Sequence, residues 1–241
     1  MQKEDGKGKM RCENVTFGRF LDRPNRFLAR VERDRQLENC HVKNTSRLRE
    51  LLRPGALVAL QAAGAAGRKT AFDLIAVEHQ SETTKEPIWV NIDSQAPNKV
   101  CKEWLMDAKP FGEMQLLRPE STYGHYRFDF YLEAGERKIF LEVKGVTLVE
   151  GGVARFPGAP TLRGVKHLEE LADCLSLGYE AAVVFVAKRA DARAVAPNDE
   201  MKPAFGQALR RAVENGVQAV ALNCDVQPDA LRIAGPIDLI L

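Results

Sequence analysis

The chain has 241 residues, of which 45% are apolar and 28% charged, and its formal net charge is +2. This is the composition of a soluble globular protein, long enough for one large domain or two small ones. Cys12, Cys40, Cys101, Cys174 and Cys224 are odd in number and form no Cys-x-x-Cys pair, which argues against a disulfide framework and against structural zinc.

In chain order, the first ten residues, "MQKEDGKGKM", are charged and lack an apolar signal core, and no apolar run approaches the ~20 residues needed to span a bilayer. A reducing cytoplasm is expected. Residues 1–80 carry a charge balance of +6 and the remainder −4, which suits a polyanion-binding module joined to something else. "VTFGRFL", "RFLARVER", "LENCHVK", "ALVALQA" and "AFDLIAVEH" alternate apolar and polar residues at about period two and predict five short strands. "RLRELL" (47–52) predicts a short helix ended by Pro54-Gly55. Residues 11–80 therefore read as a small barrel of OB type. Arg19, Arg23, Arg26 and Arg30 interleave with Phe17, Phe20 and Phe27. That face could track a nucleic-acid backbone, although strand spacing assigns the phenylalanines to the core. Gly64 and Gly67 lack the Walker spacing and read as a hairpin tip.

"HQSETTKEP" (79–87) reads as a polar linker, so a second domain is expected over 88–241. "SQAPNKVCKEWLMDA" predicts a helix with Val100, Trp104 and Leu105 on one side. A hairpin follows in "FDFYLEAGERKIFLEVKGVTL" (128–148). "PTLRGVKHLEELADCLSLG" repeats apolar residues at three and four, with Gly178 as its stop. "AAVVFVAK" and "VQAVALNC" are continuously apolar strands flanking the amphipathic "AFGQALRRAVENG". Strands alternating with helices predict an α/β domain with a mixed sheet.

The hairpin carries charge in a core-like pattern. Side chains alternate along a strand, so Glu142 and Lys144 share one face and Val143 takes the other. If the turn centres between Gly135 and Glu136, paired residue numbers sum to 271, and Asp129 lies opposite Glu142 with Cβ atoms about 5 Å apart. Two carboxylates that close favour a hard divalent cation between them, Mg²⁺ or Mn²⁺. A salt bridge on an exposed sheet face is the plainer alternative. A one-residue slip would move Asp129 to the other face. Cys101 and His125 could serve as nucleophile and base only if brought together, and nothing in the sequence does so.

An Asp followed about a dozen residues later by Glu-x-Lys on a hairpin resembles the PD-(D/E)xK nuclease superfamily. "NRFLARV" (25–31), "KNTSRL" (43–48), "YGHYRFDF" (123–130), "LEVKGVTLVEGGVARFPGAPTLRGVKHLEEL" (141–171) and "NGVQAVAL" (215–222) resemble the sugar fermentation stimulation protein A (SfsA) family, in the same order from about residue 12 onward. The resemblance implies an N-terminal OB-like barrel, a C-terminal PD-(D/E)xK-like domain, nucleic-acid binding and, in some members, metal-dependent cleavage. By position it implies catalytic roles for Asp129, Glu142 and Lys144, with Glu120 and Glu103 as further metal ligands. It also places Arg163, Lys166 and His167 on the family's "RGxKH" segment, where a helix N-terminus suits a phosphate. With Arg19, Arg26 and Arg30 these form the expected contacts to DNA or RNA. Two departures stand out: "FPDA" is "FPGA" here, with Gly158 replacing the acid, and "NTG" is "NTS". The leading expectation is a Mg²⁺- or Mn²⁺-dependent nuclease. The alternatives are a non-catalytic DNA-binding regulator of sugar metabolism and, third, a protein-interaction barrel. No membrane partner is expected, and a homo-oligomer is left open.

Overall fold

The computed structural model describes residues 9–64, 68–159 and 162–241. Gly67, most of the charged N-terminal decapeptide, and Pro160 and Thr161 at the head of the expected helix lie outside them. In chain order the elements are β1 (Met10–Arg11), β2 (Val15–Asn25), β3 (Leu28–Arg33), β4 (Gln36–His41), β5 (Leu57–Ala62), β6 (Phe72–Gln80), β7 (Pro87–Asn91) and α1 (Ala96–Ala108). There follow β8 (Leu116–Tyr123), β9 (Tyr126–Ala134), β10 (Arg137–Val146), β11 (Val149–Glu150), β12 (Val153–Phe156) and α2 (Leu162–Leu175). The chain ends with β13 (Glu180–Ala187), β14 (Ala194–Pro197), α3 (Pro203–Glu214), β15 (Gln218–Gln227), β16 (Ala230–Pro236) and β17 (Asp238–Leu239). Among the described residues no helix is long and apolar enough to cross a membrane.

Strands β2 to β6 close into a five-stranded barrel, because β4 pairs in parallel with β6 at the open edge. Closure removes the exposed edges that a small sheet would otherwise present. Its core holds Phe20, Val31, Leu60, Leu74 and Val77. Phe17 and Phe27, expected inside, are instead 46% and 51% exposed. Phe17 leans on Trp89, and Phe27 lies in the β2–β3 turn itself, its N–H donating to the Asn25 side chain. The expected helix at 47–52 is a turn: Leu48 has a φ of 52°, and six residues before a proline are too few to sustain a helix.

The expected linker is also structured. Residues 81–86 turn β6 back onto β7, which pairs with it from Ala76↔Asn91 to Gln80↔Pro87, so the barrel sheet runs on to Asn91. The Ser81 hydroxyl at this turn donates to Asp191 of the second domain at 2.8 Å. Polarity marked the segment, and a buried docking contact explains why it is ordered. The N-terminal β1, which lies before the first of the five expected strands, pairs with β16.

The second domain is built on a seven-stranded mixed sheet, in the order β1-β16-β15-β13-β10-β9-β8. β10, β13 and β15 run parallel to one another at its centre, and the strands on either side are antiparallel. α1 covers one face over Ile139, Leu141 and Val143, and α2 and α3 cover the other over Phe140, Val183 and Phe185. This alternation along β10 puts Glu142 and Lys144 on the face beneath α2. A four-stranded sheet, β11-β12-β14-β17, flanks that side.

Candidate active site

Gly135, with φ of 64°, makes the tight turn between β9 and β10, and the residue numbers of the pairs from Arg137↔Ala134 to Leu141↔Phe130 all sum to 271. The ladder stops there, one rung short of Asp129 and Glu142. At that point β9 leaves β10: Phe130 packs under α1, whereas Phe128 packs under α2. The Asp129 carboxylate fills the gap by accepting the Val143 N–H at 2.8 Å. Its other oxygen accepts from the Asn98 side-chain amide at 2.7 Å.

Asn98 lies in the first turn of α1, which sits close enough to reach Asp129 because β10 has Gly145 where α1 begins. A Cβ at Gly145 would lie 2.5 Å from the Pro97 ring. Gly145→Ala should therefore push α1 outward, cost roughly 1–3 kcal/mol in a denaturant titration and break the Asn98–Asp129 contact. An unchanged midpoint would show that α1 moves freely there.

Glu142 is 4% exposed and Lys144 8%. The Lys144 ammonium donates to Glu142 Oε1 at 2.7 Å, and His167 of α2 reaches the same oxygen through Nδ1. The His167 Nε2 accepts from the Arg163 guanidinium at 3.0 Å, so Nδ1 carries the ring proton and donates it to Glu142. Glu142 Oε2 is buried and makes no hydrogen bond among the described residues. Glu142 also lines a cleft of about 230 Å³, with Glu120, Arg127, Asp129, Arg163 and His167.

The two carboxylates are held apart electrostatically. Burial and the nearby Glu142 charge raise the pKa of Asp129 against the bonds from Val143 and Asn98. Burial also works to raise that of Glu142, but His167 and Lys144 outweigh it and hold the group below the usual carboxylate range. An anionic Glu142 with an unbonded, buried oxygen beside Asp129 is a hard donor set that fits a divalent cation. The set is a pair: among the described residues no three Asp, Glu, His or Cys side chains already converge on one point. Glu120 stands at the rim, in a left-handed conformation with φ of 51°, and its carboxylate pairs with Arg127 at 2.7 Å.

The structure redistributes the other expected residues. Glu103 does not line this cleft; its carboxylate takes a backbone hydrogen bond from Met10 on β1, because it lies more than a helical turn beyond Asn98. Lys166 points to solvent and pairs with Glu170 along the helix at 3.4 Å. His167 is largely buried and bonded to Glu142, and it lines the cleft together with Arg163. Cys101 is buried on the core side of α1, whereas His125 is exposed in the β8–β9 turn.

On the barrel, Arg30 is tied to Asp22 through two hydrogen bonds and Arg19 donates to the Gly55 carbonyl at 3.2 Å. Neither lines the large cleft of about 740 Å³ beside the β2–β3 hairpin, which gathers Arg23, Arg26, Arg47 and Arg49. Arg23 donates to the carbonyls of Ser46 and Asn44, at 2.7 and 2.6 Å, and so braces the loop that carries Arg47 and Arg49. Asn98, Arg47 and Arg49 were not singled out in the sequence. The signal for the arginines was "SRLRE", hidden when those residues were read as a helix. For Asn98 it was the amide next to the helix-initiating Pro97.

The family model described as "Sugar fermentation stimulation protein RE domain" matches residues 95–230, and "SfsA N-terminal OB domain" matches residues 21–92. A sugar fermentation stimulation protein homolog of Desulfitobacterium hafniense (strain DSM 10664 / DCB-2) is 51% identical over 92% of this chain and 95% of its own. One from Clostridium beijerinckii is 46% identical over 96% of this chain and 100% of its own. The solved structure of Pyrococcus furiosus SfsA in complex with Ca²⁺ superposes with a TM-score of 0.85 at 25% identity, covering 96% of this chain and 98% of that one.

Proposed function

The chain belongs to the sugar fermentation stimulation protein family, and from that premise and the geometry of the hairpin we propose that it binds nucleic acid and hydrolyses phosphodiester bonds with a divalent cation. One observation carries the reading: Glu142, anionic and with a buried Oε2 that makes no hydrogen bond among the described residues, lines a cleft together with Asp129 and Arg163. The Ca²⁺ complex of the Pyrococcus furiosus relative supports a cation in the family.

Asp129 and Glu142 would hold Mg²⁺ or Mn²⁺, with Glu120 free to swing in from the rim. The cation, when bound, supplies Lewis-acid neutralisation of charge on the scissile phosphate. Asn98 and the Val143 N–H fix the Asp129 carboxylate. His167 and Lys144 anchor one oxygen of Glu142, which leaves the other for the cation. Lys144, already at the carboxylate, is placed to orient the attacking water or to stabilise transition-state charge. Arg163, in the first turn of α2, would present its guanidinium to a phosphate, where the helix dipole also favours an anion. The arginine-rich cleft of the barrel gives the polynucleotide a second, sequence-independent hold.

Calorimetric titration with Mn²⁺ tests the metal site directly. Wild type should show saturable binding, weakened at least tenfold in Asp129→Asn. Equal heats in the two proteins would remove the hairpin from the cation site.

A further inference from the structure

Beside the carboxylate cleft lies a second pocket, of about 360 Å³, walled by aromatic rings. Tyr123, Phe140 and Tyr179 touch one another with ring centroids 5.0 to 5.3 Å apart, and Tyr131 stacks on Phe140 at 5.0 Å. Phe140 is buried, but the three tyrosines are only partly covered and turn ring surface toward the pocket. Arg118 and Glu133 edge it. Among the described residues the exposed Arg118 guanidinium makes no hydrogen bond or ion pair, whereas Glu133 accepts one bond, from the Tyr131 hydroxyl at 2.7 Å.

This pocket adjoins the candidate active site, for Glu120 lines both. The two are also adjacent along the sheet. Phe140 and Glu142 are successive residues on one face of β10, about 7 Å apart at strand rise, and Arg118, Tyr131 and Phe140 occupy one row across β8, β9 and β10. The walls suit a flat π-system, and the rim offers one cationic donor and one carboxylate acceptor to its edge. A phosphate is a poor fit, since Glu120 and Glu133 flank the opening. We infer that the pocket is a nucleobase subsite, which stacks the base of the nucleotide next to the scissile phosphate on Tyr123 and Tyr179 and reads its edge with Arg118 and Glu133. The inference rests on the nucleic-acid reading above and adds to it a direct contact with a base.

The test is equilibrium binding by fluorescence anisotropy in EDTA, where cleavage plays no part. Two single-stranded DNA probes of equal length and charge are compared, one carrying bases and one abasic throughout. Tyr179→Leu and Arg118→Ala should weaken the base-bearing probe roughly 5- to 100-fold and the abasic probe less than twofold. Arg118→Ala removes a side chain that makes no hydrogen bond or ion pair among the described residues, so it remains informative even if Tyr179→Leu unfolds. Equal losses on both probes, or none on either, would overturn the subsite and leave nucleic-acid binding standing. Failure of wild type to bind any probe would overturn both.

Discussion

Replacing Glu142 with Gln should lower metal-dependent cleavage on the order of a thousandfold, the several kcal/mol that a cation contributes at a scissile phosphate. The change keeps the shape of the side chain and removes its charge. An amide at this position is a weak ligand for a hard cation, and the buried Oε2 is the atom that would be lost. Stability should fall as well, by roughly 1–3 kcal/mol, because the buried Lys144 ammonium and His167 Nδ1 both bond to this carboxylate. Asp129 gains, since one cause of its raised pKa is the Glu142 charge. The expected variant is thus a folded protein, less stable, still able to bind nucleic acid and nearly inactive. A Gln variant that cleaves as well as wild type would exclude Glu142 from the chemistry.

Lys188 gives the second large effect, on stability. It follows the last residue of β13 at the junction of the two domains, buried, with its ammonium donating to the Asp93 carbonyl at 2.8 Å. Burial lowers its pKa to about 8, against the opposing pull of the Asp93 carboxylate. In the unfolded chain lysine titrates near 10.4, so between about pH 8 and 10.4 the unfolded state binds more protons and stability rises with pH. Below pH 8 the full cost of burying the charge is present, about 3 kcal/mol for a shift of this size. Lys188→Met should therefore be more stable than wild type by about 1–2 kcal/mol at pH 7, after the loss of one hydrogen bond. That advantage should disappear by pH 10. Burial raises the thiols of Cys40, Cys101, Cys174 and Cys224, whose contribution falls with pH. The difference between the two proteins in urea titrations is accordingly the quantity to measure. A difference that does not change with pH would mean that Lys188 keeps an ordinary pKa.

The hairpin was readable in advance because its determinants are local. A glycine turn fixes the register, and alternation fixes the faces. What a two-strand drawing could not contain is the divergence of β9 from β10 at Asp129, which replaces a rung of backbone pairing with a side-chain bond to Val143. The role of His167 was out of reach for another reason. Its position in "RGVKH" suggested a phosphate contact, but its partner is 25 residues away on β10 and is met only when α2 packs on the sheet. Glu103 failed on helical phase: the same helix that carries it turns Asn98 toward the site. The short helix at 47–52 and the linker at 79–87 failed because composition alone does not show a left-handed Leu48 or the docking of Ser81 on Asp191. Phe17 and Phe27 were assigned inward by pattern, yet a five-stranded barrel has too little interior to take every aromatic ring.

The central claim is phosphodiester hydrolysis at the Asp129–Glu142 pair. It is tested most directly by incubating the wild-type protein with end-labelled single- and double-stranded DNA and RNA in Mg²⁺, in Mn²⁺ and in EDTA. Cleavage of at least one substrate in either metal, absent in EDTA, is the predicted result. Binding without cleavage of any substrate in both metals would contradict it and favour a non-catalytic DNA-binding regulator.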